Sequence, residues 1–142
     1  MTARILCVED DTSILDLQLA LLRRLGYDPI AASDGEEGYR LAVREQPDAI
    51  VMDVMLPGSD GFSVAQRLRE NRDTRNIPLA FVTAKGEPEH FRRGFSCGGQ
   101  VYLAKPFTTR ALQVAVESLL RHKARPAPDK AQATPAKKRR WF

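Results

Sequence analysis

Ala49-Ile50-Val51-Met52-Asp53-Val54-Met55-Leu56-Pro57-Gly58-Ser59-Asp60-Gly61 is the stretch on which the fold turns. It begins with four apolar residues and no polar alternation, the pattern of a strand buried on both faces. The run stops at Asp53, and Pro57-Gly58 and Asp60-Gly61 punctuate a loop rich in turn formers. From Phe62 to Glu70 the spacing predicts a helix, with Val64, Ala65 and Leu68 inward and Arg67 and Arg69 outward. A doubly buried strand that feeds a helix is half of a parallel βαβ unit.

Outward from this stretch the pattern recurs four times. Ile5 to Val8 is an apolar run that ends in Glu9-Asp10-Asp11, and Ile14, Leu17, Leu21 and Leu25 then fall at helical spacing. Thr12 or Ser13 can cap that helix and Gly26 stops it. Ile30 to Ala32 is a short strand closed by Ser33-Asp34-Gly35, followed by a helix with Gly38, Leu41 and Ala42 on one face, stopped before Pro47. Leu79 to Val82 ends at Thr83, and a polar helix runs from about Glu87 to Cys97, where Gly98-Gly99 ends it. Val101 to Ala104 ends at Lys105-Pro106, and the last helix begins near Thr108 and carries Leu112, Ala115, Val116, Leu119 and Leu120. Five strand–helix units specify an α/β domain, an open doubly wound parallel sheet.

The chain of 142 residues has a formal charge of +4. Residues 121–142 hold eight Lys or Arg against Asp129 alone, a net of +7, which leaves the first 120 residues at −3. The expected organisation is therefore a domain over 1–122 and a disordered Ala/Pro/Lys/Arg tail over 123–142. Lys137 to Arg140, followed by Trp141-Phe142, is the one segment suited to nucleic acid or an anionic membrane. A cationic leader and a long apolar run are absent, so a cytoplasmic protein without a transmembrane segment is expected. Cys7 and Cys97 form no CxxC pair and are expected as free thiols.

The chemistry is in the residues that end the strands: Glu9 and Asp10, Asp53, Thr83 and Lys105. In an open parallel sheet the ligand crevice lies outside the carboxyl ends of the strands. Three carboxylates gathered there repel one another, and a hard divalent cation, Mg²⁺, is the simplest relief. Lys105 and the Thr83 hydroxyl complete a site for a phosphoryl group.

With these residues in place, the chain resembles the receiver domain of bacterial two-component response regulators. The resemblance covers residues 4 to about 122. It is carried by Ile5-Leu6-Cys7-Val8-Glu9-Asp10-Asp11, Val51-Met52-Asp53-Val54-Met55-Leu56-Pro57-Gly58, Asp60-Gly61-Phe62, Val82-Thr83-Ala84 and Tyr102-Leu103-Ala104-Lys105-Pro106-Phe107. It implies a flavodoxin-like (βα)5 fold with strand order 2-1-3-4-5.

In function, the resemblance implies that Asp53 accepts a phosphoryl group from a sensor histidine kinase or a histidine phosphotransfer protein. Asp10 and Asp53 would ligate Mg²⁺ directly, Glu9 through water, and Met55 by its backbone carbonyl. Lys105, joined to Pro106 by a cis bond, would contact the carboxylate and then the phosphoryl oxygens. Thr83 and Tyr102 would move together as the switch, biasing a surface made of the fourth helix, the fifth strand and the last helix. Signal would leave by protein–protein contact, with a homodimer compatible and nucleic acid reached only through the tail. Such a domain catalyses its own phosphorylation and dephosphorylation and is otherwise no enzyme.

The chain departs from the family where many receivers place Gly-Ala-Asp-Asp: here stand Gly98-Gly99-Gln100-Val101. Met55 and Lys85 occupy the two positions that modulate dephosphorylation in the family. Two rivals fare worse. An aspartyl-phosphate hydrolase of the haloacid-dehalogenase type wants a second Asp two residues after the nucleophile, and Met55 stands there. A flavodoxin-like nucleotide binder wants a phosphate loop after the first strand, where Glu9-Asp10-Asp11 has the wrong charge.

Overall fold

Short strands without polar alternation pair side by side, and here five of them form one parallel sheet. A computed structural model describes residues 2–83, 99 and 101–124, the last three as backbone only. Its elements are β1 (Arg4–Val8), α1 (Thr12–Arg24), β2 (Asp28–Ala32), α2 (Gly35–Glu45), β3 (Ala49–Asp53), α3 (Gly61–Glu70), β4 (Leu79–Thr83), β5 (Val101–Ala104) and α4 (Thr109–Ala124). The strand order is β2-β1-β3-β4-β5, as the resemblance implies.

Side chains alternate across each strand and so build two cores. Leu6, Val8, Ile50, Met52 and Phe81 face the side where Val64 and Leu68 of α3 and Ala42 of α2 pack. Ile5, Cys7, Val51 and Val82 face the other side, against Leu15 and Leu22 of α1 and Leu112, Val116 and Leu119 of α4. Every residue of β3 and β4 is buried, which explains why those segments read as unbroken apolar runs.

Three details differ from the sequence reading. β2 begins at Asp28 rather than Ile30, with Pro29 inside it. It is an edge strand, bonded only to β1, and there a missing N–H costs no ladder bond. The buried stripe of α1 is Leu15, Gln18 and Leu22, one step round from the Ile14–Leu17–Leu21–Leu25 stripe, and Leu17 is 56% exposed. A helix this rich in leucine offers two apolar stripes, and its entry geometry selects between them. Asp11, not Thr12 or Ser13, caps the helix by accepting from the Ile14 N–H at 3.1 Å.

The predicted helix over 87–97, the terminating Gly98, His90, Cys97, Ala84, Lys85, Gln100 and the tail beyond residue 124 lie outside the described residues. So does the fourth-helix part of the expected switch surface. α4 runs to Ala124, two residues past the expected boundary at 122. Among the described residues no helix is long and apolar enough to cross a membrane.

Candidate functional site

Strand register brings the site together. Val8 is level with Met52, Asp53 with Val82, and Thr83 with Ala104. The residues that follow these pairs therefore leave the sheet at one edge. Glu9 (1% exposed), Asp53 (4%) and Thr83 (2%) are buried there, while Asp10 is exposed.

Glu9, Asp10 and Asp53 each offer a carboxylate oxygen, and the three oxygens lie within 4.8 Å of one another. Lys105 Nζ reaches across from the end of β5, 2.8 Å from Asp53 Oδ2 and 2.8 Å from Glu9 Oε1. The other Asp53 oxygen, Oδ1, accepts from the Met55 N–H at 3.1 Å. Glu9 Oε2 accepts from the Asp11 N–H at 3.1 Å, so the residue that caps α1 also orients Glu9. The Lys105 N–H donates to the Thr83 carbonyl at 2.8 Å and locks the β4 and β5 ends together. The Lys105–Pro106 bond is cis.

The electrostatics follow from burial. Burial pushes the Glu9 carboxyl above its ordinary value; Lys105 and the Asp11 N–H pull it back, and the neighbouring Asp53 pushes it further up. For Lys105, partial burial opposes the charge, yet hydrogen bonds and charge from Asp53 and Glu9 outweigh it and raise its pKa. Three carboxylates against one ammonium leave a formal −2. Glu9 Oε1 is buried, with Lys105 Nζ 2.8 Å away. An all-oxygen donor set with that deficit fits a hard divalent cation such as Mg²⁺.

Tyr102 is the second residue of β5, level with Phe81 of β4. It is half-buried and packs on Phe81 with ring centroids 5.7 Å apart. Met55 is 68% exposed in the loop after β3.

Two positioning residues were not read from the sequence. Gly61 donates its N–H to the Val54 carbonyl at 2.7 Å, and a Cβ there would collide with the Asp53 carbonyl oxygen. Asp60 caps α3 by accepting from the Ser63 N–H at 2.8 Å. The Asp60-Gly61 pair was the available signal, an N-cap residue followed by a glycine where the backbones close on each other.

A groove of about 750 Å³ opens beside Asp10, between Ser33-Asp34 and Pro57-Gly58-Ser59. A larger cleft of about 860 Å³ lies around Tyr39, Arg67 and the 71–76 loop and contains none of the strand-end groups. The smaller opening reaches the strand-end groups through Asp10.

Comparison with known proteins gives the same family from sequence and from structure. The sequence pattern of the response regulator receiver domain matches residues 5–117. The DNA-binding dual master transcriptional regulator RpaA of Synechocystis is 45% identical over 118 residues, which is 83% of this chain and 49% of that protein. The chain spans about half the length of the curated relatives it matches. A crystal structure of a putative response regulator from Chloroflexus aurantiacus superposes with a TM-score of 0.82 at 34% identity, covering 85% of this chain and 99% of that one. The receiver domain of the sensor histidine kinase PA1611 from Pseudomonas aeruginosa has a TM-score of 0.78 at 33% identity over 84% of this chain and 98% of its own. That structure has a magnesium ion coordinated in its active-site cleft.

Proposed function

The chain belongs to the response regulator receiver domain family of two-component systems, and on that premise we propose that it takes a phosphoryl group onto Asp53 from a histidine kinase or histidine phosphotransfer protein. The observation that carries the reading is Asp53 itself. It is a buried carboxylate at the end of a central strand, with one oxygen on the Lys105 ammonium and the other on the Met55 N–H.

In the transfer, a carboxylate oxygen of Asp53 attacks the phosphorus of the phosphohistidine, the P–N bond breaks, and the imidazole leaves with the electron pair. An acyl phosphate remains. The Met55 N–H holds the carboxylate plane, and Lys105, already at Asp53 Oδ2, is placed to follow charge onto the phosphoryl oxygens. Asp10, Asp53, the Met55 carbonyl and, through water, Glu9 would hold Mg²⁺, which supplies positive charge to the carboxylates and the incoming phosphoryl group. Thr83, whose backbone is pinned to Lys105, offers the hydroxyl for a third phosphoryl oxygen. Its movement, followed by Tyr102 on the neighbouring strand, converts the local charge change into an altered surface.

On this reading the receiver ends with α4, acts in the cytoplasm, and signals through contact with a protein target. It turns over no substrate beyond its own phosphorylation and dephosphorylation. Incubation with Mg²⁺ and acetyl phosphate should add one acid-stable, alkali-labile phosphoryl group by intact mass, and none to Asp53→Asn. Equal labelling of Asp53→Asn would remove the basis of the proposal.

A further inference from the structure

The loop after Asp53 carries a group that the phosphoryl transfer leaves unused. Of the two methionines the structure describes, Met52 is fully buried in β3, whereas Met55 is 68% exposed. The backbone around Met55 is fixed. The Val54 N–H donates to the Val82 carbonyl at 2.9 Å, the Val54 carbonyl accepts from Gly61, and the Met55 N–H is bonded to Asp53 Oδ1 at 3.1 Å. The residue whose backbone N–H holds the phospho-accepting carboxylate thus carries a thioether open to solvent. Cys7, by contrast, is fully buried and shielded from solutes.

We propose that Met55 is an oxidation site through which peroxide shortens the lifetime of the phosphoryl group on Asp53; this rests on the reading of Asp53 given above. A sulfur lone pair of Met55 attacks one oxygen of hydrogen peroxide, the S–O bond forms as the O–O bond breaks, and water leaves. The sulfur loses two electrons and the peroxide gains them. The product differs from the thioether in the property that matters at this place. A thioether is apolar and a weak acceptor, so it holds no water. A sulfoxide oxygen is a strong acceptor and would hold water in the loop whose backbone grips Asp53. Hydrolysis needs water in line with the carbon–oxygen–phosphorus link, so positioned water speeds it. The expected acceleration is roughly fivefold, the scale of one added hydrogen bond in the transition state. Reduction of the sulfoxide by a methionine sulfoxide reductase reverses the effect.

The test uses the full chain as wild type and Met55→Leu. Each is treated with hydrogen peroxide, cleared with catalase, phosphorylated with acetyl phosphate and Mg²⁺, freed of donor, and followed by intact mass. Peptide mapping locates any added oxygen. The proposal expects one oxygen on the Met55 peptide, roughly fivefold faster phosphoryl loss in oxidised wild type, and no peroxide effect on the decay of Met55→Leu. It is overturned by an unoxidised Met55 peptide, by unchanged decay in oxidised wild type, or by equal acceleration in Met55→Leu. Failure of untreated wild type to gain a phosphoryl group overturns the Asp53 reading together with this one; the other results overturn this one alone.

Discussion

Replacing Asp10 with Asn should make the metal-free protein more stable and take away its response to Mg²⁺. The reason is the charge balance of the site. Glu9, Asp10 and Asp53 present oxygens within 4.8 Å of one another, and Lys105 pairs with Glu9 and Asp53, which leaves Asp10 facing two carboxylates from the open side. Two like charges ~4.8 Å apart repel by ~3.5 kcal/mol at an effective dielectric of ~20 and by ~1 kcal/mol in bulk water. Asp10 is exposed, so the lower figure governs, and two such repulsions less the pull of Lys105 leave ~1 kcal/mol. For a domain of this size that is a rise in Tm of ~4 °C for Asp10→Asn in EDTA. In wild type, Mg²⁺ at ~100 times its Kd should add ~2.7 kcal/mol, or ~10 °C. The assay is thermal unfolding of both proteins in EDTA and across a Mg²⁺ titration. The order of stability should cross: variant above wild type without Mg²⁺, wild type above variant with it. A variant less stable than wild type in EDTA, or parallel Mg²⁺ curves, would refute the argument.

Three further outcomes follow from other parts of the molecule. Gln18→Met should stabilise the fold by ~1 kcal/mol in urea unfolding, because Gln18 is 1% exposed and its Oε1 has no hydrogen-bond partner among the described residues; a loss of stability would contradict this. Gly61→Ala should cost ~2 kcal/mol and slow acetyl phosphate labelling, since the new Cβ meets the Asp53 carbonyl and displaces the strand end; wild-type labelling would show that the close approach is dispensable. Glu45 is held below the ordinary carboxylate range first by its hydrogen bond from Arg4, then by that from Arg44. A lowered carboxyl contributes stability that is complete above the unfolded value of about 4.3 and is lost as pH falls through the folded one. Glu45→Gln should therefore have a flatter acid limb below that pH, and superimposable acid limbs would show that the pair contributes nothing.

What the sequence revealed, and what it hid, has a physical division. The strand runs were legible because β3 and β4 are buried on both faces, so every position had to be apolar. The site was legible for a related reason: Glu9, Asp53 and Thr83 interrupt those runs where the chain leaves the sheet, and a parallel sheet puts all such exits on one edge. The rotation of α1 was not legible. Leucines at 15, 17, 19, 21 and 22 serve either stripe, and the choice was made by the Asp11 cap and its bond to Glu9. The reach of β2 back to Asp28 was hidden by Pro29, which reads as a breaker until the strand is known to lie at the edge. The role of Gly61 was hidden because a missing side chain leaves no pattern; only the approach of the Asp53 carbonyl gives it meaning.

The central claim is that Asp53 carries the phosphoryl group, and chemical mapping tests it most directly. An acyl phosphate is reduced by borohydride to an alcohol, so wild type treated with acetyl phosphate and Mg²⁺, then borohydride, should yield homoserine at position 53 in sequenced peptides and at no other acidic position. Reduction at Asp10, Glu9 or any other carboxylate, with Asp53 intact, would contradict the account.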